Sequence, residues 1–562
     1  MSLSLLATTV PVTDWLDVLR YDPLKPLIFT RFFFWGFFAV VLAIYSVIHK
    51  QRALRNAYLF FVSLFFYYKS SGLFVGILLF STVSDYLLAL AIHAAQPGLR
   101  KKLWLALSLS VNLLLLCYFK YAHFLIENIN AAFGTSFHEV NYFAQLTNGL
   151  FGTGHLVDRI LLPVGISFFT FQAISYAMDV YRGHVAPVRN ILDYGFFVSF
   201  FPQLVAGPIT RAAEFIPQVY KEFSLTRAQF GLAVFWILNG LAKKMLIGDY
   251  IAVNFIDRVF LDPLHFTGFE NLMSLYAYSL QVYCDFSGYT DIAIGVALLM
   301  GFRLPVNFNS PYKARSVADF WKRWHMSLST WLRDYLYIPM GGNRSGSVFS
   351  WIMLGFIAVA LTLLTGWLWL PVAFITVIGA AVIAVRFSPA LNNVISTNLN
   401  LMITMLIGGL WHGASWMFVI WGALNGLGLV IYKFWRRISP WESSKSWVAH
   451  AWAVFITFNF ITFTRIWFRS DSLETANKVL HQLGNDFGFA LVGDVLWGFR
   501  SVFAVMLLGF VVHWLPSGFK QRYRDGFANL PLWAMALVCV AVVFVIYQTV
   551  TADMVPFIYF QF

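Results

Sequence analysis

The chain has 562 residues, of which 59% are hydrophobic, 19% aromatic and only 12% charged, against about a quarter charged in a soluble globular protein. That shortfall, with apolar runs long enough to cross a bilayer, excludes a soluble enzyme and predicts an all-α polytopic membrane protein, one integral-membrane unit over 1–562. The net charge of +13 does not point to nucleic acid, because Lys and Arg in a membrane protein gather in cytoplasmic loops beside anionic headgroups.

The opening "MSLSLLATTVPVTDW" has no basic residue ahead of its apolar stretch, which argues against a cleaved secretory signal. Apolar spans are predicted at 30–49, 57–68, 72–95, 103–126, 158–180, 193–207, 229–248 and 271–300, then at 349–366, 370–386, 398–412, 416–433, 448–468, 500–515 and 531–550. Several are short or broken by Gly and Pro, so tilted, paired and re-entrant pieces are expected beside simple spans. Basic clusters at 49–55, 99–102, 242–244, 433–437 and 519–524 are predicted cytoplasmic, and the loop 133–157, without Lys or Arg, outward-facing. Cys117, Cys284 and Cys539 lie in apolar segments without metal-like spacing and read as packing residues. "DSLETANKVLHQL" (471–483) reads as an amphipathic surface or loop helix, with Asp471 and Glu474 at capping-box spacing and Leu473, Ala476 and Leu480 on one side.

Four stretches carry candidate chemistry. In "LVAGPITR" (204–211), Pro208 ends a helix that Arg211 caps at the interface. In "LQVYCDFSGYTDIAIG" (280–295), Asp285 and Asp291 sit in an apolar span. They could bind a cation, relay protons or pair with the arginines of 315–333, and a salt-bridge latch is the preferred reading. The most polar stretch is 311–344. Wound as one helix, it places Phe320, Trp321, Trp324, Leu328, Trp331, Leu332 and Tyr335 on one face, Lys322, Arg323, Ser329 and Arg333 on the other, and His325 at the border. Such a helix suits an interfacial anchor, or the cationic wall of a funnel for a phosphate-bearing donor. Finally, "LMITMLIGGLWHGASWMFVIWGALNG" (401–426) buries His412 in an apolar segment. Gly422 and Gly426 have small-xxx-small spacing, and Gly408, Gly409 and Gly413 let backbone approach. A neutral imidazole held by a carbonyl would explain His412 structurally; its cost in hydrocarbon favours a proton-handling role. "GTGHLVDR" (152–159) lacks the context of a nucleotide loop, and neither G-x-S-x-G with its partners nor H-E-x-x-H occurs.

"VADFWKRWHMSLSTWLRDYLYIPMGGNR" followed by "GGLWHGASWMFVIWGALNG" resembles the signature pair of the membrane-bound O-acyltransferase (MBOAT) superfamily, in the bacterial branch of alginate O-acetylation and teichoic-acid D-alanylation membrane proteins. "LLPVGISFFTFQAISYAMDVYRG" (161–183), "FFPQLVAGPITR" (200–211), "NGLAKKMLIGD" (239–249), "YCDFSGYTDIAIG" (283–295) and "RIWFRSDSLETA" (465–476) fall in that branch's order, so the resemblance covers most of 30–485. It implies a many-helix bundle with a central funnel or tunnel. It also implies transfer of an acyl group, most simply acetyl, from a cytoplasmic thioester to an extracytoplasmic polysaccharide or cell-wall polymer. His412 would be the invariant histidine, base toward the accepting hydroxyl, and His325 the branch's second histidine. Trp411, Ser415, Trp416, Trp324, Arg323, Lys322, Arg333, Asp285 and Asn343 are candidates for lining the tunnel or binding the donor. Oxyanion donors are open between backbone N–H groups near Gly413 and His325. The implied co-substrate is acetyl-CoA or an acyl-carrier protein, with no tightly bound cofactor or metal. The implied partners are the bilayer, the acceptor polymer and a periplasmic acyltransferase, and the implied location is the bacterial inner membrane. The stretch 349–386 departs from the branch as an inserted helical hairpin, and spans over 500–550 are additional. D-alanyl transfer to teichoic acid is the alternative within the class. A transporter or flippase is the alternative outside it, and predicts inverted repeats that are not seen in the chain.

Overall fold

The computed structural model describes residues 19–549 apart from Leu24, His155, 345–347, 366–368, 370–371, 377–378 and 381–388. Helices and turns account for all regular structure among the described residues, as expected where each backbone group must find its partner within its own segment. Seven of these helical stretches are long and apolar enough to cross a membrane: Arg52–Ala94, Leu99–Phe133, Arg227–Leu261, Gly268–Leu299, Asn393–His412, Trp416–Ile438 and Trp447–Arg469. Two bent pairs, Phe489–Gly498 with Arg500–Trp514 and Ser517–Ala528 with Leu532–Gln548, turn by 84° and 115°. Of the expected hairpin 349–386, the helix Val348–Thr365 is described and most of the remainder lies outside the described residues.

Gly268–Leu299 is the axis of the bundle. Thr267 and Glu270 close a capping box at its start, and 94% of its most apolar window is buried. A helix walled in by protein on every side can carry Ser274, Ser279, Asp285, Ser287, Thr290 and Asp291 at no cost to lipid, provided each finds a polar partner. Its closest neighbour is Arg227–Leu241, which meets it backbone to backbone. A Cβ at Gly288 would stand 2.7 Å from the Gly240 carbonyl oxygen, and one at Gly295 would stand 2.6 Å from that of Ala233. Side chains of any size at these positions would push the two helices apart.

The basic segments gather at one end. Tyr45 donates to the Met300 carbonyl, Arg55 to those of Val219 and Lys221, Arg227 to Leu530 and Lys433 to Asn398. Opposite that end lie the turn at 72–74 and the basic-poor segment 133–157, which meet where Phe74 stacks on Phe143. The exception is 242–244. Rather than a cytoplasmic loop, it begins a π-helical stretch, Ala242–Asp249, in the bundle interior. There Lys243 pairs with Asp291 at 2.7 Å, and Lys244 with Asp285 and Asp249 at 2.6 Å each. The latch expected of the two aspartates therefore exists, with lysines and not the arginines of 315–333 as its cations.

Local expectations change in four further places. The stretch 311–344 is not one helix: it breaks into Pro311–Lys313, Val317–Trp321, Met326–Leu332 and a π-turn Arg333–Tyr337. The helix expected from 158 begins at Ile166. Ser472, not Asp471, caps Leu473–Asn485 by accepting from the Thr475 N–H, and Ala476 and Val479 of that helix are buried. Arg211 makes no cap and instead pairs with Asp334 at 2.5 Å.

Candidate active site

The helix Pro389–His412 and its antiparallel partner Trp416–Ile438 pack through glycine. A Cβ at Gly422 would lie 2.5 Å from the Met405 carbonyl oxygen, and one at Gly409 would clash with that of Phe418. This close crossing fixes where the first helix ends, at His412. Its last carbonyls have no intrahelical N–H to accept, and a neighbouring helix supplies the donors. In the π-helical turn Cys117–Tyr121, consecutive side chains reach the same helix end. The Tyr121 hydroxyl donates to Leu410 at 2.8 Å, and the Lys120 ammonium donates to Trp411 and to His412, the latter at 3.4 Å. A cation at a helix C-terminus also meets the negative end of the macrodipole.

The His412 ring is buried among aromatic rings, with centroids 5.1 Å from Trp411, 5.1 Å from Trp421 and 5.3 Å from Phe468. It lines two cavities. One is small and enclosed, walled by Val282, Phe286, Trp324, Trp421, Arg465 and Phe468. The other is more open and carries Lys120, Pro163, Ser167, Phe168 and Trp411. A further cavity beside it, lined by Lys120, His123, Glu139 and Ala414, belongs to the basic-poor end.

His325 has backbone angles of φ 43 and ψ 54, the left-handed region that costs a non-glycine residue about 1–2 kcal/mol. This one residue breaks the expected long helix and turns the imidazole fully inward rather than to a border. Asn307 braces the turn: its carbonyl accepts from the Met326 N–H at 2.9 Å. Its Oδ1 accepts from the Ser327 N–H at 3.1 Å and from the Ser327 hydroxyl at 2.9 Å, and stands 3.3 Å from His325 Nδ1. A backbone N–H can only donate, so the amide atom it meets is the oxygen and His325 Nδ1 must carry the proton. Nε2 is then a bare lone pair, buried without a hydrogen-bond partner among the described residues. Neutral His325 is thus an acceptor and does not serve as an oxyanion donor. Its ring centroid lies 4.6 Å from Phe286 and 5.8 Å from Trp411, so both histidines share the Trp411 indole.

The structure brings together His412, His325, Trp411 and Trp324 from the residues singled out in sequence. Trp416 and Ser415 flank them, and the Trp416 indole donates to Asn128 at 2.9 Å. The remaining candidates lie elsewhere. Asp285 faces Lys244, Arg323 pairs with Asp319 at 2.9 Å and Arg333 with Asp334 at 2.6 Å. Lys322 is exposed, and exposed Asn343 accepts from the Tyr337 hydroxyl. Sequence reasoning missed Lys120, Asn307 and Arg465. Two of these, Lys120 and Arg465, were visible as lone cations inside apolar spans.

Residues 186–390 match the MBOAT, membrane-bound O-acyltransferase family. A peptidoglycan O-acetyltransferase of Helicobacter pylori is 34% identical over 502 residues, 85% of this chain and 81% of its own. The chain belongs to the membrane-bound O-acyltransferase family. A probable alginate O-acetylase, AlgI, of Pseudomonas putida is 33% identical over 94% of this chain and 99% of its own. A teichoic acid D-alanyltransferase of Bacillus subtilis is 28% identical over 55% of this chain and 69% of its own. This MBOAT protein is therefore a multi-span membrane O-acyltransferase. Its buried His412 lies in the segment that follows the matched residues 186–390, inside a helix pair that glycine packing holds in register.

Proposed function

We propose that the protein transfers an acetyl group from a cytoplasmic thioester, acetyl-CoA or an acyl-carrier protein, to a hydroxyl of an extracytoplasmic polysaccharide across the bacterial inner membrane. The observation that carries this reading is that His412 lines both an enclosed inner cavity and an open cavity toward the basic-poor end. With the basic end cytoplasmic, the thioester approaches past Trp324 and Trp421, and the acceptor approaches past Lys120. The relatives named for O-acetylation of peptidoglycan and alginate favour acetyl as the acyl group.

Acyl transfer needs a base for the hydroxyl proton, stabilisation of the oxyanion and exclusion of water. His412 takes the proton as the hydroxyl oxygen bonds to the acyl carbon. The tetrahedral intermediate then expels the thiolate as the C–S bond breaks, and the thiolate receives that proton, leaving an ester, a thiol and neutral His412. The indoles of Trp411, Trp324 and Trp421 keep bulk water from the thioester. Onward transfer runs through a periplasmic partner when the polymer itself cannot reach the open cavity.

Protein in lipid nanodiscs, given acetyl-CoA labelled in the acetyl group and oligosaccharides of peptidoglycan or alginate, should release free thiol and label the sugar. His412→Ala, inserted and folded normally, should lose both. Full transfer by that variant, or transfer of D-alanine in place of acetyl by the wild type, would overturn the respective part of the reading.

A further inference from the structure

Arg465 is 1% exposed, and its guanidinium carbon lies 4.8 Å over the Trp324 ring and 5.2 Å over that of Phe468. The Tyr312 hydroxyl, which donates to the Ser279 carbonyl, stands near it, and its Nε is buried with no hydrogen-bond partner among the described residues. Among the described residues, none of the ion pairs involves it. Arg469, one turn further along the same helix, does have a carboxylate, Asp257 at 2.9 Å. The lysines of the central latch are likewise paired.

A buried guanidinium without a carboxylate is among the costliest groups a bundle can hold, since desolvation is not repaid by an ion pair. Two aromatic rings recover part of that cost through cation–π attraction, but neither offers a carboxylate or carbonyl to accept from the N–H groups. These lie in the guanidinium plane, where an acceptor must approach. Arg465 lines the enclosed cavity shared with His412, Phe286, Trp324 and Trp421. A fixed cation in a small, water-poor cavity beside a proton acceptor is the arrangement that stabilises charge appearing only during reaction.

We propose that Arg465 is a catalytic residue that holds the oxyanion formed on the thioester carbonyl. As the hydroxyl oxygen bonds to the acyl carbon and its proton passes to His412, the C=O π electrons move to the carbonyl oxygen, which accepts from the guanidinium N–H. When the C=O bond re-forms and the C–S bond breaks, that hydrogen bond weakens again. The assignment fills the oxyanion position that His325, with its proton turned to Asn307, does not fill. It rests on the acyl-transfer reading above.

The test is steady-state free-thiol release from acetyl-CoA by nanodisc-embedded protein, with binding of unacetylated CoA measured in parallel. Arg465→Gln should lower kcat by about 10²–10³-fold, the usual cost of losing an oxyanion donor, with KM for acetyl-CoA and CoA binding within about threefold. Arg465→Lys, which keeps the charge without the fork, should lose at least tenfold in kcat while melting like the wild type. A folded Arg465→Gln with wild-type kcat overturns the proposal. So does a variant whose loss is confined to KM and CoA binding, which would assign Arg465 to the donor's phosphates. Wild-type protein that releases no thiol would instead overturn the thioester reading itself.

Discussion

Lys120 offers the sharpest quantitative test of how the site is held. Its ammonium donates to the Trp411 and His412 carbonyls at the end of the His412 helix. A hydrogen bond from a charged donor contributes about 1.5–3 kcal/mol, and a buried carbonyl left without a donor costs about 1–3 kcal/mol. Met in place of Lys120 refills the volume but leaves those carbonyls without that donor, while Tyr121 continues to hold Leu410. A net local loss of about 2 kcal/mol, expressed as a smaller population of correctly placed His412, is about a 30-fold fall in kcat. Lys120→Met should therefore lower thiol release about 30-fold with donor KM nearly unchanged, Lys120→Arg should recover part of it, and Tyr121→Phe should cost about fivefold or less. Hydrogen exchange should report faster opening of 408–413 in Lys120→Met. Wild-type kcat in a folded Lys120→Met would refute the reasoning, because the clamp would then have no influence on the imidazole it holds.

The Asn307 brace predicts a tautomer that can be seen without turnover: 15N-histidine spectra, with His325 assigned by difference against His325→Gln, should show Nδ1 protonated and Nε2 bare. Asn307→Asp should keep that pattern and Asn307→Leu should lose it; an Nε2–H signal in the wild type would contradict the geometry. The central latch predicts stability instead of activity. Lys244→Met removes the ammonium that Asp285 and Asp249 share and should cost about 3–5 kcal/mol, read as a lower detergent melting temperature. Lys244→Met combined with Asp285→Asn and Asp249→Asn should recover much of that loss; a triple variant as unstable as the single one would show that the pairing is not what the lysine provides.

The spans were legible because a 20-residue apolar run is a direct consequence of bilayer thickness, and most predicted spans have helices in their place. The Gly422 contact was legible for a similar reason: small residues at fixed spacing have one principal use where backbones must touch. What composition and periodicity could not give is who meets whom. Helical periodicity assigned 311–344 a single face, yet His325 occupies a left-handed backbone position that no apolar count reveals. The dipeptide Lys243–Lys244 reads as a loop signal on charge alone, and becomes interior only because Asp285 and Asp291 stand on the helix packed against it. Lys120 sits within an apolar run and Arg465 within "RIWFRSDSLETA", and a solitary cation in a span is itself a signal that some acceptor must be waiting for it.

The bundle buries two kinds of polar group. Lys243 is paired with Asp291, and Lys244 is shared by Asp285 and Asp249, so these groups are satisfied by one another and act as structure. Lys120 is spent on carbonyls, which fixes the position of His412. Arg465 has two aromatic rings and a tyrosine hydroxyl for company, and the His325 lone pair at Nε2, on the far side of the ring from Asn307, has no hydrogen-bond partner among the described residues. Were these two merely glue, side chains of similar volume that bury neither a charge nor an unsatisfied lone pair would hold the same helices at less cost in desolvation. Arg465 lines the enclosed cavity with His412, and His325 packs on Phe286, which walls the same cavity. The electrostatically incomplete part of the interior is therefore the part that an acyl group, with its transient negative oxygen and its proton to hand over, would complete.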